Sequence, residues 1–336
     1  MEARSVDAIP QGREWQYEPK WDGFRCLLAR DGRSVQLRSK SDEDLTRYFP
    51  ELVEAALKLK AASFVLDGEI VVPQGRGFSF DDLLQRIHPA ASRVEKLARE
   101  TPALFIAFDL LSTAKARQLT ERPLRERRPA LEDFAGTNFK SSAAFRLSSA
   151  TTSHALAKKW LAQSGGGCDG VIAKRIDLPY QAGNRDGMQK IKKFRSADCV
   201  IGGFRYGSNK IDGRRVVGSL LLGLYDDEGL LHHVGFTSAI KSHDKPALTD
   251  KLEPLIAKPG FTGNAPGGPS RWSTERSAQW CPLKAKLVIE VCYDHFSGER
   301  FRHGTSILRW RPDKSPRQCT FDQLKQKAAD PRKLLV

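Results

Sequence analysis

The segment Glu18-Pro19-Lys20-Trp21-Asp22-Gly23-Phe24-Arg25 places a lysine at the end of a β-prone run and follows it with a turn dipeptide. An amine in that position is carried to the mouth of a sheet. Lysine is a poor nucleophile while protonated and becomes a good one when nearby cations or desolvation depress its pKa. K-x-D-G fixes only three positions, and alone it reads as well as a type I′ hairpin turn with an exposed lysine.

Five further segments carry residue types suited to phosphate chemistry. Leu66-Asp67-Gly68-Glu69-Ile70-Val71-Val72 sets Glu69 in a strand, either facing solvent or aimed at a metal or a ribose. Phe105-Ile106-Ala107-Phe108-Asp109-Leu110-Leu111 offers aromatics for the core, or one ring to lie flat on a base. Asp169-Gly170-Val171-Ile172-Ala173-Lys174-Arg175 and Lys190-Ile191-Lys192-Lys193 read as strands. Alternation puts Lys190 and Lys192 on one face, where two ammonium groups repel unless an anion lies between them or solvent screens them. Arg309-Trp310-Arg311-Pro312-Asp313-Lys314 is the last, and its bland reading is a basic loop.

The elements that must position these groups follow from periodicity. Gln16–Glu18, Phe24–Arg30, Val35–Arg38, Phe64–Val72, Leu104–Leu110 and Val171–Lys174 are strand candidates. Tyr48–Lys60, Ser79–Gln85, Ala91–Arg99, Pro123–Phe134 and Ser153–Ser164 are helix candidates, the last stopped by Gly165-Gly166-Gly167. After Lys193 short strands with Gly and Asp turns predominate: Cys199–Tyr206, Gly218–Tyr225, Leu230–Gly235, Leu287–Phe296 and Phe301–Trp310. That spacing predicts a small β-barrel, with Lys258–Arg276 as a Gly- and Pro-rich loop inside it. The expectation is an α+β domain over residues 1–195 and an all-β domain over 196–336.

Bulk properties narrow the classes. With 55 Lys and Arg against 40 Asp and Glu, a formal charge of +15 favours a polyanionic partner and salt-sensitive binding. A hydrophobic content of 40% argues against a disordered chain. No apolar run is long enough to span a bilayer and no signal peptide is evident, so a bacterial cytosolic location and no membrane partner are expected. Cys26, Cys168, Cys199, Cys281, Cys292 and Cys319 lack zinc spacing and read as small apolar residues.

Taken in order, K-x-D-G, D-G-E, F-D-L-L, D-G-V-x-x-K, K-x-K and R-x-D-K resemble the covalent nucleotidyltransferase superfamily over nearly the whole chain. Within it, YEPKWDGFR, TRYFPELV, QRIHPAASRV, FIAFDLL, GSLLLGLY and ILRWRPDK look like the small bacterial ATP-dependent DNA ligases of the ligase C type, related to the ligase module of ligase D. The resemblance implies a nucleotidyltransferase (adenylation) domain followed by an OB-fold domain. It implies ATP and Mg²⁺, or Mn²⁺, as cofactors and sealing of 3′-hydroxyl/5′-phosphate nicks in duplex DNA, in repair, through a lysyl-AMP intermediate.

By the same resemblance, Lys20 is the nucleophile. Lys174, Lys190 and Lys192 would hold the α-phosphate and favour a neutral Lys20. Glu69 and Asp169 would hold metal or ribose oxygens, Glu18 would read the adenine amino group, and Phe108 would stack on the base with Val171 opposite. Arg25 would contact the ribose and later the nick phosphate, and Arg311 and Asp313 would orient pyrophosphate. Ser39-Lys40-Ser41 stands where such ligases usually carry an arginine, which leaves Arg38 and Lys40 as alternatives for the nick 5′-phosphate; Asp169 stands where many carry glutamate. A compact enzyme acting as a monomer implies a recruiting partner, such as a Ku-type end-binding protein or a gap-filling polymerase. RNA ligase and mRNA-capping guanylyltransferase are the rival readings, the first differing at a 2′-hydroxyl and the second in its use of GTP.

Overall fold

Trp15, Tyr17 and Pro19 alternate with Gln16, Glu18 and Lys20 along the first long strand, and this period of two divides core from site. A computed structural model describes residues 1–114, 118–267, 279–325 and 330–336. The chain forms two units, one of Met1–Lys193 with Ala328–Val336 and one of Phe194–Lys327.

The strands of the first unit's two larger sheets are β1 (Arg4–Ser5), β2 (Trp15–Trp21), β3 (Phe24–Asp31), β4 (Ser34–Ser39), β5 (Ser63–Val71), β6 (Leu104–Thr113), β7 (Phe145–Leu147), β8 (Cys168–Arg175) and β9 (Met188–Lys192). They build two sheets, ordered β1-β9-β8-β2 and β4-β3-β5-β6-β7. Asp22-Gly23 therefore joins two different sheets and is no hairpin turn, because β2 pairs with β8 and β3 with β4 and β5. A Cβ at Gly23 would lie 2.1 Å from the Ile70 carbonyl oxygen, so the crossing needs glycine.

Trp15, Tyr17, Val171, Ala173 and Ile191 cover the back of the first sheet and pack on Ala157 and Trp160 of a helix over His154–Ala162. The second sheet buries Leu28, Leu66 and Phe105 against Leu52 of the helix Pro50–Lys58 and Leu131 and Phe134 of the helix Leu124–Asn138. Ser79 and Ser153 cap helices as their sequence positions suggest, accepting from Asp82 N–H at 3.1 Å and Leu156 N–H at 3.3 Å. Pro50 takes the first helical position, so that helix starts two residues later than periodicity alone predicts, after a 3₁₀ turn over Thr46–Tyr48.

In the second unit β10 (Arg195–Ile211), β11 (Arg214–Tyr225), β12 (Leu231–Thr237), β13 (Val288–Tyr293) and β14 (Ser306–Trp310) form one sheet in the order β12-β11-β10-β13-β14. A helix over Lys245–Leu252, absent from the sequence expectation, buries Leu248 and Leu252 in that unit's core. Of the expected loop Lys258–Arg276, residues 268–276 lie outside the described residues.

The last residues depart from the expected boundary. Leu147 N–H donates to Val336 O at 3.2 Å, Val336 N–H to Leu147 O at 2.9 Å and Ser149 N–H to Leu334 O at 3.0 Å, so this tail extends the β7 edge of the first unit. Its leucines find apolar cover there, which a boundary drawn from strand grammar does not register. Among the described residues no helix is long and apolar enough to cross a membrane.

Candidate active site

The register of the first sheet sets Lys20 opposite Gly170, Glu18 opposite Ile172 and Gln16 opposite Lys174. On the other side Lys192, Lys190 and Met188 stand opposite Gly170, Ile172 and Lys174. Directly paired residues share a face. One face thus carries Gln16, Glu18 and Lys20, then Gly170, Ile172 and Lys174, then Lys190 and Lys192. Gly170 keeps the centre open: a Cβ there would lie 2.0 Å from the Ile191 carbonyl oxygen.

At one end of this face Lys20 Nζ lies 3.2 Å from Asp169 Oδ2. Burial disfavours the charged ammonium, yet the carboxylates of Asp169, Glu69 and Asp22 together outweigh it and hold the Lys20 pKa above its ordinary value. The expectation that surrounding cations make Lys20 neutral is thus corrected for the protein without ligand: its nearest charges are acids. Glu69 accepts from Gly23 N–H at 3.1 Å. Burial, chiefly, pushes its pKa up to about 8, against the pull of Lys20 and Arg25. Asp169 reaches Lys20 because the register of β8 against β2 shifts between Cys168 and Gly170. Such a bulge frees one residue from strict alternation.

The cations gather around Lys190. Burial lowers its pKa, and Lys192, Lys20, Lys40 and Arg185 lower it further. Lys40 therefore lies in the field of this cluster. Arg38 instead donates to Asp42 O at 3.2 Å and pairs with the Asp42 carboxylate at 3.9 Å.

At the other end Lys174 is paired with Glu18 at 2.7 Å, with both side chains buried. Gln16 donates a further hydrogen bond to Glu18 at 2.8 Å. The Lys174 ammonium stands 4.6 Å from the Phe108 ring centroid. Lys174 is thus not grouped with Lys20: four residues of strand, about 13 Å, separate Gly170 from Lys174. Phe108 is the extra residue of a second bulge, where the pairing of β5 with β6 shifts between Asp67 and Gly68.

Val171 is also corrected. It is 0% exposed and belongs to the core behind the sheet. Parity puts Ile172 on the site face instead. Sequence reasoning also left Asp67 and Tyr180 without roles. Arg25 makes a bidentate ion pair with Asp67, at 3.1 and 2.7 Å, and donates to the Met1 carbonyl oxygen; Tyr180 donates to Asp67 at 2.8 Å. The parity of Asp67 with Glu69 was the available signal. In the second unit Arg311 is held by Asp198 at 2.9 Å and Asp313 at 2.9 Å, and Lys314 reaches Asp198 at 2.6 Å.

Comparison with known proteins identifies the family. The family model described as ATP dependent DNA ligase domain matches residues 1–192, and that of the ATP dependent DNA ligase C terminal region matches residues 213–314. DNA ligase C2 of Mycolicibacterium smegmatis is 45% identical over 96% of this chain and 93% of its own length. The multifunctional non-homologous end joining DNA repair protein LigD of Mycobacterium tuberculosis is 32% identical over 90% of this chain and 37% of that longer protein. A solved structure from an analysis of Lig E DNA ligases is 16% identical, with a TM-score of 0.53, and covers 92% of this chain and 100% of that chain; it bears on the fold alone.

Proposed function

The chain belongs to the ATP-dependent DNA ligases, an adenylation domain joined to an OB-fold domain, and from that premise we propose that Lys20 is the residue that carries AMP. The observation that supports this most directly is the place of Lys20, 3.2 Å from Asp169 and in the field of Glu69 and Asp22, on the strand face that also carries Lys190 and Lys192. A triphosphate entering there brings anions to the lysines. The three carboxylates around a single ammonium, one of them pushed up to about 8 by burial, have the hard oxygen donors a divalent cation takes. Glu69, Asp169 and Asp22 would hold Mg²⁺, or Mn²⁺, which when bound supplies charge neutralisation at phosphate and lowers the pKa of Lys20.

In the reaction so assigned, Lys20 loses its proton and its nitrogen bonds to the α-phosphorus as the bond to pyrophosphate breaks. AMP then passes to the 5′-phosphate of a nick, and the 3′-hydroxyl displaces it to close the strand. Lys190 and Lys192 stabilise the charge that grows on the phosphoryl oxygens, and proximity holds nucleophile and phosphorus in line. Glu18, paired with Lys174 and oriented by Gln16, reads the adenine edge. Phe108 and Ile172 take the two faces of the base, and Arg25, fixed by Asp67, meets the ribose. Lys40 in preference to Arg38 meets the nick phosphate. Arg311 and Asp313 orient the pyrophosphate.

The pathway is DNA repair, with nicked duplex DNA as substrate and recruitment by an end-binding or gap-filling protein. The likeness to LigD supports this reading.

The test is incubation with α-labelled ATP and Mg²⁺ followed by a denaturing gel. Wild type takes up label and Lys20→Ala takes up none. Label retained in Lys20→Ala, or acquired from GTP alone, overturns the assignment. Sealing of nicks built with DNA or RNA on either side then sets the sugar preference.

A further inference from the structure

We propose that the C-terminal segment Asp330–Val336 is a positioning element of the active site, seating Trp21 and through it the neighbouring Lys20. The proposal rests on Lys20 being the adenylated residue. Trp21 ends β2, which is the edge strand of its sheet, so its final residues have a ladder partner on one side only. The other side is held by side chains. Trp21 is 4% exposed, its Nε1–H donates to Ser148 Oγ at 2.9 Å, and its ring meets Phe78 edge-on at 5.9 Å. The surrounding apolar cluster is Trp21, Val71, Phe78 and Ile106, and Leu334 and Leu335 pack against it. Leu334 also packs on the cluster of Trp15, Tyr17 and Trp160 behind the same strand. One tail residue therefore touches both apolar groups that flank β2.

The backbone tells the same story. Residues 147–151 are a shared splint: Leu147 and Ser149 hydrogen-bond the tail, Ser148 holds Trp21, and Thr151 exchanges two hydrogen bonds with Tyr17, at 2.7 and 2.9 Å. The tail arrives shaped for this seat. Asp330 accepts from Arg332 N–H at 3.0 Å and pairs with its guanidinium at 2.9 Å, capping the 3₁₀ turn Pro331–Leu334. None of the sequence motifs includes these residues. They follow the second unit along the chain and yet belong to the first.

A nucleophile displaced by about 1 Å from its in-line position loses on the order of a hundredfold in rate. The experiment compares wild type with Leu334→Asp/Leu335→Asp, and with the milder Leu335→Ala, checking each for folding by circular dichroism. Two single-turnover reactions are read. Self-adenylation needs Lys20 to attack. Closure of a nick already carrying AMP on its 5′-phosphate needs no attack by Lys20. The expected result is adenylation slowed about 10–100-fold in the Asp variant and severalfold in Leu335→Ala, with closure of pre-adenylated nicks nearly unchanged. Leu335→Met restores adenylation. Adenylation at the wild-type rate in a folded variant overturns the proposal, and so does an equal loss of both reactions, which is the mark of a merely structural role. If the Asp variant does not fold, Leu335→Ala decides by the same two criteria. Wild-type labelling at Lys20 in the same assay separates failure of this proposal from failure of the assignment it rests on.

Discussion

The two ends of the site face solve the problem of buried charge in opposite ways. At the Glu18 end the charges are matched: Glu18 and Lys174 are 2% and 4% exposed, pair at 2.7 Å, and gain a further hydrogen bond from Gln16. At the Lys20 end more than two charges share the space. Lys20 pairs with Asp169 at 3.2 Å with Glu69 and Asp22 in its field, lysines gather about Lys190, and the pKa values of Glu69, Lys20 and Lys190 all move from their ordinary values. A matched pair is stable without ligand and offers a fixed hydrogen-bonding edge. A crowded field gains from a ligand that brings both an anion and a cation. In the proposed reaction, base recognition and phosphate chemistry would thus be separated along one strand pair, at opposite ends of the same pleat.

The largest effect that would break this comparison is at the matched end. Removing one partner of a buried pair leaves an uncompensated charge, so Lys174→Ala is expected to cost about 3–5 kcal/mol of stability. The double change Glu18→Leu/Lys174→Met should recover most of that loss, while its preference for ATP over GTP in self-adenylation falls. Denaturant unfolding and labelling with the two nucleotides check both halves. A Lys174→Ala protein as stable as wild type would mean that the pair is not matched in the sense argued.

A smaller effect sharpens the crowded end. The pKa of Glu69 in the folded protein, about 8, lies above its ordinary 4.5, so the fold favours the neutral acid. That contribution to stability is complete below about pH 4.5 and is lost as pH rises through about 8, at up to about 1.4 kcal/mol per pH unit inside the window. In EDTA, wild type should therefore lose thermal stability between pH 5 and 8 more steeply than Glu69→Gln. Mg²⁺ should reverse the loss in wild type and leave Glu69→Gln unmoved. Superimposable melting curves for the two proteins would refute this account of Glu69.

How far these ends were legible in the sequence follows from parity and its exceptions. Lys20 and Glu18 share parity, as do Lys190 and Lys192, and each pair falls on the site face. The joint assignment of Val171 and Lys174 to one ligand broke that rule, since residues three apart on a regular strand face opposite ways. Asp169 and Phe108 escape parity through bulges, and a bulge has no sequence signature in this chain beyond a nearby glycine or alanine. K-x-D-G was visible, but its role as a crossing between sheets was not, because local spacing carries no information on which strands pair. The change from a mixed α/β region to a strand-rich one was legible from strand lengths and turns. The return of the tail to the first unit was not, because it depends on a long-range fit between two leucines and Trp21.

The finest test sets the two neighbours on β8 against each other. Val171 is fully buried behind the sheet, so Val171→Ala should cost about 1–3 kcal/mol of stability and leave the KM for ATP unchanged. Ile172 is half-buried on the site face. Truncating it to Ala should alter stability by less than about 1 kcal/mol and raise the KM for ATP roughly fivefold, the size of one lost apolar contact near 1 kcal/mol. Thermal melts and single-turnover adenylation at varied ATP separate the two. The reverse pattern, with Val171→Ala raising KM and Ile172→Ala lowering stability, would place the base on the other side of the sheet. The register would then have to slip by one residue, which would also carry Glu18 and Lys20 into the core. That coupling makes the pair a test of the whole face: no single side chain can change sides without taking Lys20 with it.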